Sequence, residues 1–262
     1  MPPSETDRPH TCFVQRAIGG LIDERWCSNA HLATLRELTP GSVPVVDDPR
    51  LGLFSDDRLT IRFAPFDSSN PGAKVVFVGL TPGDAQRRIA LSETAMALRE
   101  GDTLDVVLRR AKNVAAFAGA MRTNLIAMLD GIGLPVALGI LSGQQLFGDR
   151  RELADSTSAI CHPVFRQGRN YSGTPRISSH PVLAAAARQV LAANLAESPE
   201  ALIVPLGRAA TEGVTLSGAD PMRVLIGFPH PSGANGGRAA QFRLNQAEMT
   251  RKVGSWFGSS NV

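Results

Sequence analysis

His230 stands where an imidazole can do chemistry. It follows the apolar run Val224-Leu225-Ile226-Gly227-Phe228 and opens the turn His230-Pro231-Ser232-Gly233-Ala234-Asn235-Gly236-Gly237-Arg238. A histidine at the carboxyl end of a buried strand can donate to a developing oxyanion or shuttle a proton. Pro231 fixes its direction, and the glycines leave room for the backbone of a ligand. Ser232 and Asn235 serve either as local caps or as ligand contacts.

A second polar turn ends another apolar run, in Val75-Val76-Phe77-Val78-Gly79-Leu80-Thr81-Pro82-Gly83-Asp84-Ala85-Gln86. Gly79 and Gly83 permit close backbone approach, and Pro82 suits a helix start. The N–H groups of the helix that follows attract a phosphate or a developing anion. Asp84 and Gln86 fall in its first turn, where an acid also simply complements the helix dipole. The turn is neither a P-loop nor a dinucleotide fingerprint, because Gly-x-Gly and Gly-Lys-Ser/Thr are both missing.

Bringing two such turns together needs neighbouring parallel strands. The runs 74–80, 157–164, 201–206 and 223–228 read as strands, and 59–63 as a short edge strand. The stretch 103–129 is long enough for two helices, and 181–195 and 241–256 carry one each. Strands alternating with helices predict an α/β fold. It is a three-layer α/β/α arrangement around a central, mostly parallel four-stranded sheet, with ligands at the carboxyl ends of the strands. Phe13, Ile18, Leu21, Ile22, Trp26, Leu32 and Leu35 suggest one or two helices from Cys12 to Leu38, within an N-terminal tail and helical extension over 1–57 of which 1–10 is a disordered tail. Residues 58–262 read as one domain with a single core.

The 262 residues are 43% hydrophobic and 19% charged, which excludes global disorder. No apolar run approaches the ~20 residues of a membrane span, and the polar N-terminus lacks a signal peptide. A cytoplasmic protein without a membrane partner is expected. The net charge of +3 does not by itself imply nucleic acid. Of the 27 Lys and Arg residues, only Lys74, Lys112 and Lys252 are lysines. None lies in either turn, so attack by water is favoured over attack by a lysine amine that forms an imine. Arginine forks match phosphate geometry, although a GC-rich genome also explains the bias. Cys12, Cys27 and Cys161 are too few for a four-cysteine site and read as ordinary thiols in a reducing compartment. No metal and no other cofactor is expected.

Taken together, the two turns resemble motifs of the uracil-DNA glycosylase superfamily. The first is similar to that superfamily's glycine, two variable positions, then proline and a small residue. The second is similar to its His-Pro-Ser motif, with the asparagine and arginine that some branches place after it. Between them, 122–134 (Arg122-Thr123-Asn124-Leu125 onward) resembles the helix after the first motif. The segment Leu206-Gly207-Arg208-Ala209-Ala210 resembles the strand end that reads Leu-Gly-x-x-Ala. The order and spacing fit over roughly residues 58–257.

The resemblance implies a monofunctional glycosylase that flips uracil or another modified base out of DNA and cleaves its bond to the sugar. His230 would stabilise the departing base anion. Gly79, Leu80, Thr81, Pro82, Gly83 and Gln86 would line the base and position water. Ser232, Asn235 and Arg238 would hold phosphates. Phe66, Phe165 or Tyr171 would stack on the base. Characterised branches place an acidic or amide residue where this chain has Leu80 and Thr81. Leu80 cannot activate water and Thr81 only orients it, so Asp84 is the nearest carboxylate for that role. Thr157, Ser158 or His162 would replace the usual base-reading asparagine. Gly233, Ala234, Gly236 and Gly237 provide no bulky wedge, which implies a preference for single-stranded or weakly paired DNA. Two other readings stay open: a non-catalytic nucleic-acid or nucleotide-binding protein on the same fold, and an unrelated nucleotide hydrolase using His230 and Asp84.

Overall fold

The computed structural model describes residues 21–37, 48–117 and 120–258. The expected tail over 1–10, together with Cys12, Phe13 and Ile18, lies outside the described residues. Among the described residues, seven strands occur in the order β1 Gly52–Ser55, β2 Thr60–Arg62, β3 Val75–Gly79, β4 Ala154–Ser158, β5 Val164–Arg166, β6 Arg169–Asn170 and β7 Leu202–Pro205. The helices are α1 Leu32–Glu37, α2 Asp84–Glu100, α3 Leu104–Ala115, α4 Ala120–Gly131, α5 Leu134–Ala137, α6 Pro181–Ala186, α7 Ala192–Ala196, α8 Arg208–Leu216 and α9 Arg238–Gly258. A π-helical segment, Ala187–Leu191, joins α6 to α7.

The chain forms two compact units. The first comprises residues up to Ser68, Gly83–Ala115 and His162–Asn170; the second comprises Ser69–Pro82, Ala116–Cys161 and Tyr171 onward. These bounds do not follow the expected division at 57/58, because the chain leaves and re-enters each unit. In the first unit, β1-β2-β5-β6 form an antiparallel sheet. Helices α2 and α3 form a hairpin turned by Gly101, whose φ of 87° suits a residue without Cβ. Ala90, Ala111 and Ala115 pack between these helices, with Phe66 against them.

The second unit holds a parallel sheet of order β4-β3-β7. Strands β3 and β7 read as continuous apolar runs because every residue from Val75 to Val78 and from Leu202 to Pro205 is buried. Val75, Phe77, Leu202 and Val204 face a core shared with Leu125 and Leu129 of α4 and with Met249 and Val253 of α9. On the opposite face of the sheet, Asn194 of α7 donates to Thr157 Oγ1.

The sheet has three parallel strands and not the expected four. The segment 223–228 runs beside β7 but makes one bridge, Ile203 to Val224. Gly227 then turns the chain into the left-handed region at φ 90°, which ends the ladder. The expected strand over 157–164 is divided between β4 and β5, which belong to different units. The expected edge strand at 59–63 is β2, an interior strand between β1 and β5. Among the described residues, no helix is long and apolar enough to cross a membrane. Cys27 is disulfide-bonded and Cys161 is a buried thiol outside any disulfide, so the expectation of ordinary thiols does not extend to Cys27.

Strands β5 and β6 are joined by the two-residue turn Gln167-Gly168, with φ of 51° and 72°. Two positive φ values suit the twist of a tight hairpin, but glutamine adopts that region at a cost. Gln167→Asn is expected to raise stability by up to about 1 kcal/mol, read as the midpoint of urea denaturation.

Candidate functional site

The second unit brings the carboxyl ends of its three strands side by side. Beyond β3 and β4 the parallel ladder continues, with Ala159 N donating to Gly79 O (2.8 Å) and Ile160 N to Leu80 O (3.0 Å). On the other side, Leu206 N donates to Val78 O at 2.8 Å. Gly79 suits this closeness, since a Cβ there would lie 3.3 Å from Ser158 Oγ. Leu80, Ser158 and Gly207 therefore lie along one edge of the sheet.

His230 is laid against that edge by Gly207. The Gly207 N–H donates to Phe228 O at 2.9 Å. A Cβ on Gly207 would stand 2.9 Å from His230 Cβ and 3.3 Å from His230 N. The close approach thus needs glycine, and so does the Gly207 backbone at φ 88°, ψ 171°. This contact joins the Leu-Gly-x-x-Ala segment to the His-Pro-Ser segment.

The turn itself is braced from several directions. Asn124 of α4 donates to Pro231 O (2.9 Å), and Asn235 Nδ2 donates to His230 O (3.2 Å). Arg238 Nη1 donates to Ser232 O (2.8 Å), while Ser232 Oγ accepts from Ala234 N (3.1 Å). Ser232, Asn235 and Arg238, expected to touch phosphates, thus build the loop that holds His230.

The imidazole of His230 is half-buried, and burial lowers its pKa from the usual histidine value. Its Nδ1 accepts from Ser232 N–H at 3.2 Å. In the neutral ring the proton then sits on Nε2, for which the described residues provide no hydrogen-bond partner. The site holds a neutral imidazole with one N–H donor, on Nε2.

The first turn is shared between the units, Gly79–Pro82 in the second and Gly83–Gln86 in the first. Thr81 is half-buried, and its Oγ1 makes a long contact of 3.5 Å to Pro82 O. In the first unit, two backbone donors at the start of α2 are engaged. Gly83 N donates to Gln86 Oε1 (2.9 Å), and Gln86 Nε2 donates to Ala115 O at the end of α3 (3.0 Å). Asp84 N donates to Asn170 Oδ1 at 3.1 Å.

The Asp84 carboxylate is committed as well. One oxygen accepts from Arg87 Nε (3.0 Å) and Nη2 (2.8 Å), and the other from Arg88 Nε (2.7 Å). Partial burial raises the pKa of Asp84, but the hydrogen bonds from Arg88 and Arg87 outweigh it and the net shift is downward. A carboxylate stabilised this way is a weak general base.

His162 belongs to the first unit and not to the unit that holds the parallel sheet. It is buried in the first unit, with Nε2 3.0 Å from Trp26 O and Nδ1 within reach of Ala64 N (3.3 Å) and O (3.1 Å). The rings of Trp26 and Phe63 lie 5.2 and 5.3 Å away. Burial pushes its pKa down to about 4. Among the described residues, no three His, Cys, Asp or Glu side chains cluster as ligands for a metal.

The chain is 41% identical over 211 residues to the uncharacterized protein YoxB of Bacillus subtilis strain 168, a match covering 78% of this chain and 82% of that protein. The chain belongs to the YoxB family. No protein-family model and no solved structure matches it. YoxB membership names no reaction, so the side chains must supply one.

In this YoxB-family chain the three aromatic candidates do not all belong to one unit. Phe66 packs on the α2–α3 hairpin, and Phe165 lies under the Arg87 guanidinium at 5.7 Å, both in the first unit. Tyr171 belongs to the second unit, buried, with its hydroxyl donating to Pro175 O. Burial, with a contribution from Glu212, pushes its pKa up to about 12. The chain leads from Tyr171 to Gly173, whose added Cβ would lie 3.2 Å from Ala209 Cβ and 4.0 Å from Leu80 Cδ2. Of the three, Tyr171 alone shares a unit with His230. Sequence reasoning gave no role to Asn124, Asn170 or Arg87. A helix-interior asparagine and an arginine three residues after Asp84 were the available signals.

Proposed function

We propose that this protein is a monofunctional DNA base glycosylase of the uracil-DNA glycosylase superfamily. It hydrolyses the N-glycosidic bond of uracil or another modified base and prefers single-stranded or weakly paired DNA. The observation that carries this reading is the state of His230, a neutral imidazole held beside the carboxyl end of β7, whose Nδ1 accepts from Ser232 N–H and leaves Nε2–H as its donor. A base cleaved from its sugar departs as an anion, and a preorganised neutral N–H stabilises that charge as it develops. Supporting the reading, the parallel sheet with α4 and α9 against one face and α7 on the other is compatible with a three-layer α/β/α domain.

Asp84 has a different role in this reading from the one its sequence position suggested. It organises the first turn of α2 through Arg87 and Arg88, and Thr81 is the side chain left to orient water. Departure of the base leaves a sugar cation, which water attacks without a strong base. Loss of a water-activating carboxylate then slows the reaction more than it forbids it. The absence of a wedge after His230 favours substrates whose bases are already unstacked.

A second reading is favoured by one specific observation. Both Asp84 oxygens are occupied and neither Leu80 nor Thr81 carries a carboxylate, which suits a protein of this fold that binds nucleic acid without cutting it. Oligonucleotides carrying uracil, hypoxanthine, xanthine or hydroxymethylated bases, treated with alkali after incubation, separate the two. Strand breaks are expected, falling about 10²–10³-fold in His230→Ala. Asp84→Asn is expected to reduce them far less. Tight binding with no breaks on any substrate would replace the first reading with the second.

A further inference from the structure

The β5–β6 hairpin carries a like-charge pair that folding alone does not call for. Arg166 and Arg169 are directly opposite each other in the ladder, so both side chains leave the same face of the sheet. Both are exposed, and among the described residues neither forms an ion pair. Like charges placed opposite each other destabilise a hairpin. The left-handed Gln167 between them, at φ 51°, adds a second local cost.

The base of the hairpin is firmly held all the same. Asn170 Oδ1 accepts the Asp84 N–H at 3.1 Å, Phe165 lies 5.7 Å beneath the Arg87 guanidinium, and Val164 pairs with Ile61 of β2. The two-residue turn fixes the register, so the two arginines keep their mutual placement. An anchored base with two ungrouped guanidiniums on one face suits anions, because a guanidinium fork matches phosphate oxygens. A phosphate received between them removes the repulsion that the empty hairpin bears.

We propose that the β5–β6 hairpin is a phosphate clamp that grips the backbone of single-stranded DNA through Arg166 and Arg169. The clamp rests on the glycosylase reading only for the identity of the polymer. A flexible single strand can place its phosphates at a narrow hairpin tip without bending a duplex. The contacts are to the backbone, so binding is expected to be indifferent to base sequence and strongly salt-dependent.

The test uses a fluorescently labelled, unmodified single-stranded oligonucleotide and the full chain. Arg166→Gln and Arg169→Gln are each expected to weaken binding roughly ten-fold. Each should also reduce the slope of log affinity against log salt by about 0.7. Arg243→Gln, which removes an exposed charge on α9, controls for net charge and is expected to act far less. Arg169→Glu separates binding from folding, because it puts opposite charges across the ladder. It should weaken binding most while leaving Tm no lower than the parent's.

Hairpin variants that bind like Arg243→Gln, an unchanged salt slope, or a parent protein that does not bind the strand would each overturn the clamp. Excision measured on the same preparations keeps the two proposals apart. Hairpin-dependent binding without excision would sustain the clamp and remove the glycosylase. Excision with hairpin-independent binding would do the reverse.

Discussion

Gly207→Ala is expected to dislodge His230 and to lower excision by at least 10²-fold while destabilising the fold by roughly 2–5 kcal/mol. Two independent costs meet at this residue. Its backbone, φ 88° and ψ 171°, lies in a region open essentially to glycine alone. The new methyl group would also stand 2.9 Å from His230 Cβ and 3.3 Å from its backbone nitrogen. Neither neighbour is the free end of a flexible side chain, so relief requires the His230 backbone to move. Gly218→Ala measures a positive φ without the contact, since φ there is 75° and no atom lies within 4 Å of the added Cβ. Thermal unfolding of both variants, with excision measured alongside, provides the comparison. Equal losses of activity in both would show that the Gly207–His230 contact has no part in the site.

How much of this was legible in the chain depended on whether the signal was local. Strands β3 and β7 stood out because parallel strands buried on both faces are unbroken apolar runs. Strand β4, with Asp155, Ser156, Thr157 and Ser158, carries no such run. It is a strand because it pairs with β3, a fact its own residues do not contain. Strand β1 was hidden for a related reason, being four residues inside a stretch rich in Pro, Gly and Asp. The segment 223–228 has the composition of a strand, and only the conformation of Gly227 shows why it is not one.

The candidate site divides in the same way. His230 was readable from its place between an apolar run and a glycine-rich turn. The commitment of Asp84 was readable in principle, since Arg87 and Arg88 lie three and four residues on, within reach along a helix face. The anchoring of the site was not, because Asn124 to Pro231 and Asp84 to Asn170 are contacts between residues far apart in the chain. At His162 the local signal and the long-range contacts point to different roles. It follows a polar strand, as a ligand-reading residue would, yet Trp26 and Ala64 claim its ring.

That burial makes His162 the source of the second large effect, a loss of stability on mild acidification. The folded chain holds this imidazole neutral, with a pKa pushed down to about 4 by burial. An unfolded histidine titrates near 6.5. Between those values the unfolded state binds a proton that the folded state refuses, so stability falls as pH falls. The contribution is fully present above about pH 6.5 and declines to its minimum near pH 4, a span worth about 3 kcal/mol. His31 adds to it in the same direction. Burial lowers its pKa, opposed by its hydrogen bond to Arg25 O (2.7 Å) and by Asp67. Urea denaturation at pH 7 and pH 5, a range in which ordinary carboxylates stay ionised, isolates the histidines. His162→Gln retains a donor for Trp26 O without a titration in this range. It is expected to be less stable than the parent at pH 7 but to lose less between pH 7 and pH 5. Equal losses in the two proteins would mean that His162 does not govern the acid sensitivity of the first unit. Hydrogen exchange at the Ala64 amide, which faces His162 Nδ1 at 3.3 Å, gives a local reading. Its protection should fall with pH in the parent and stay level in the variant.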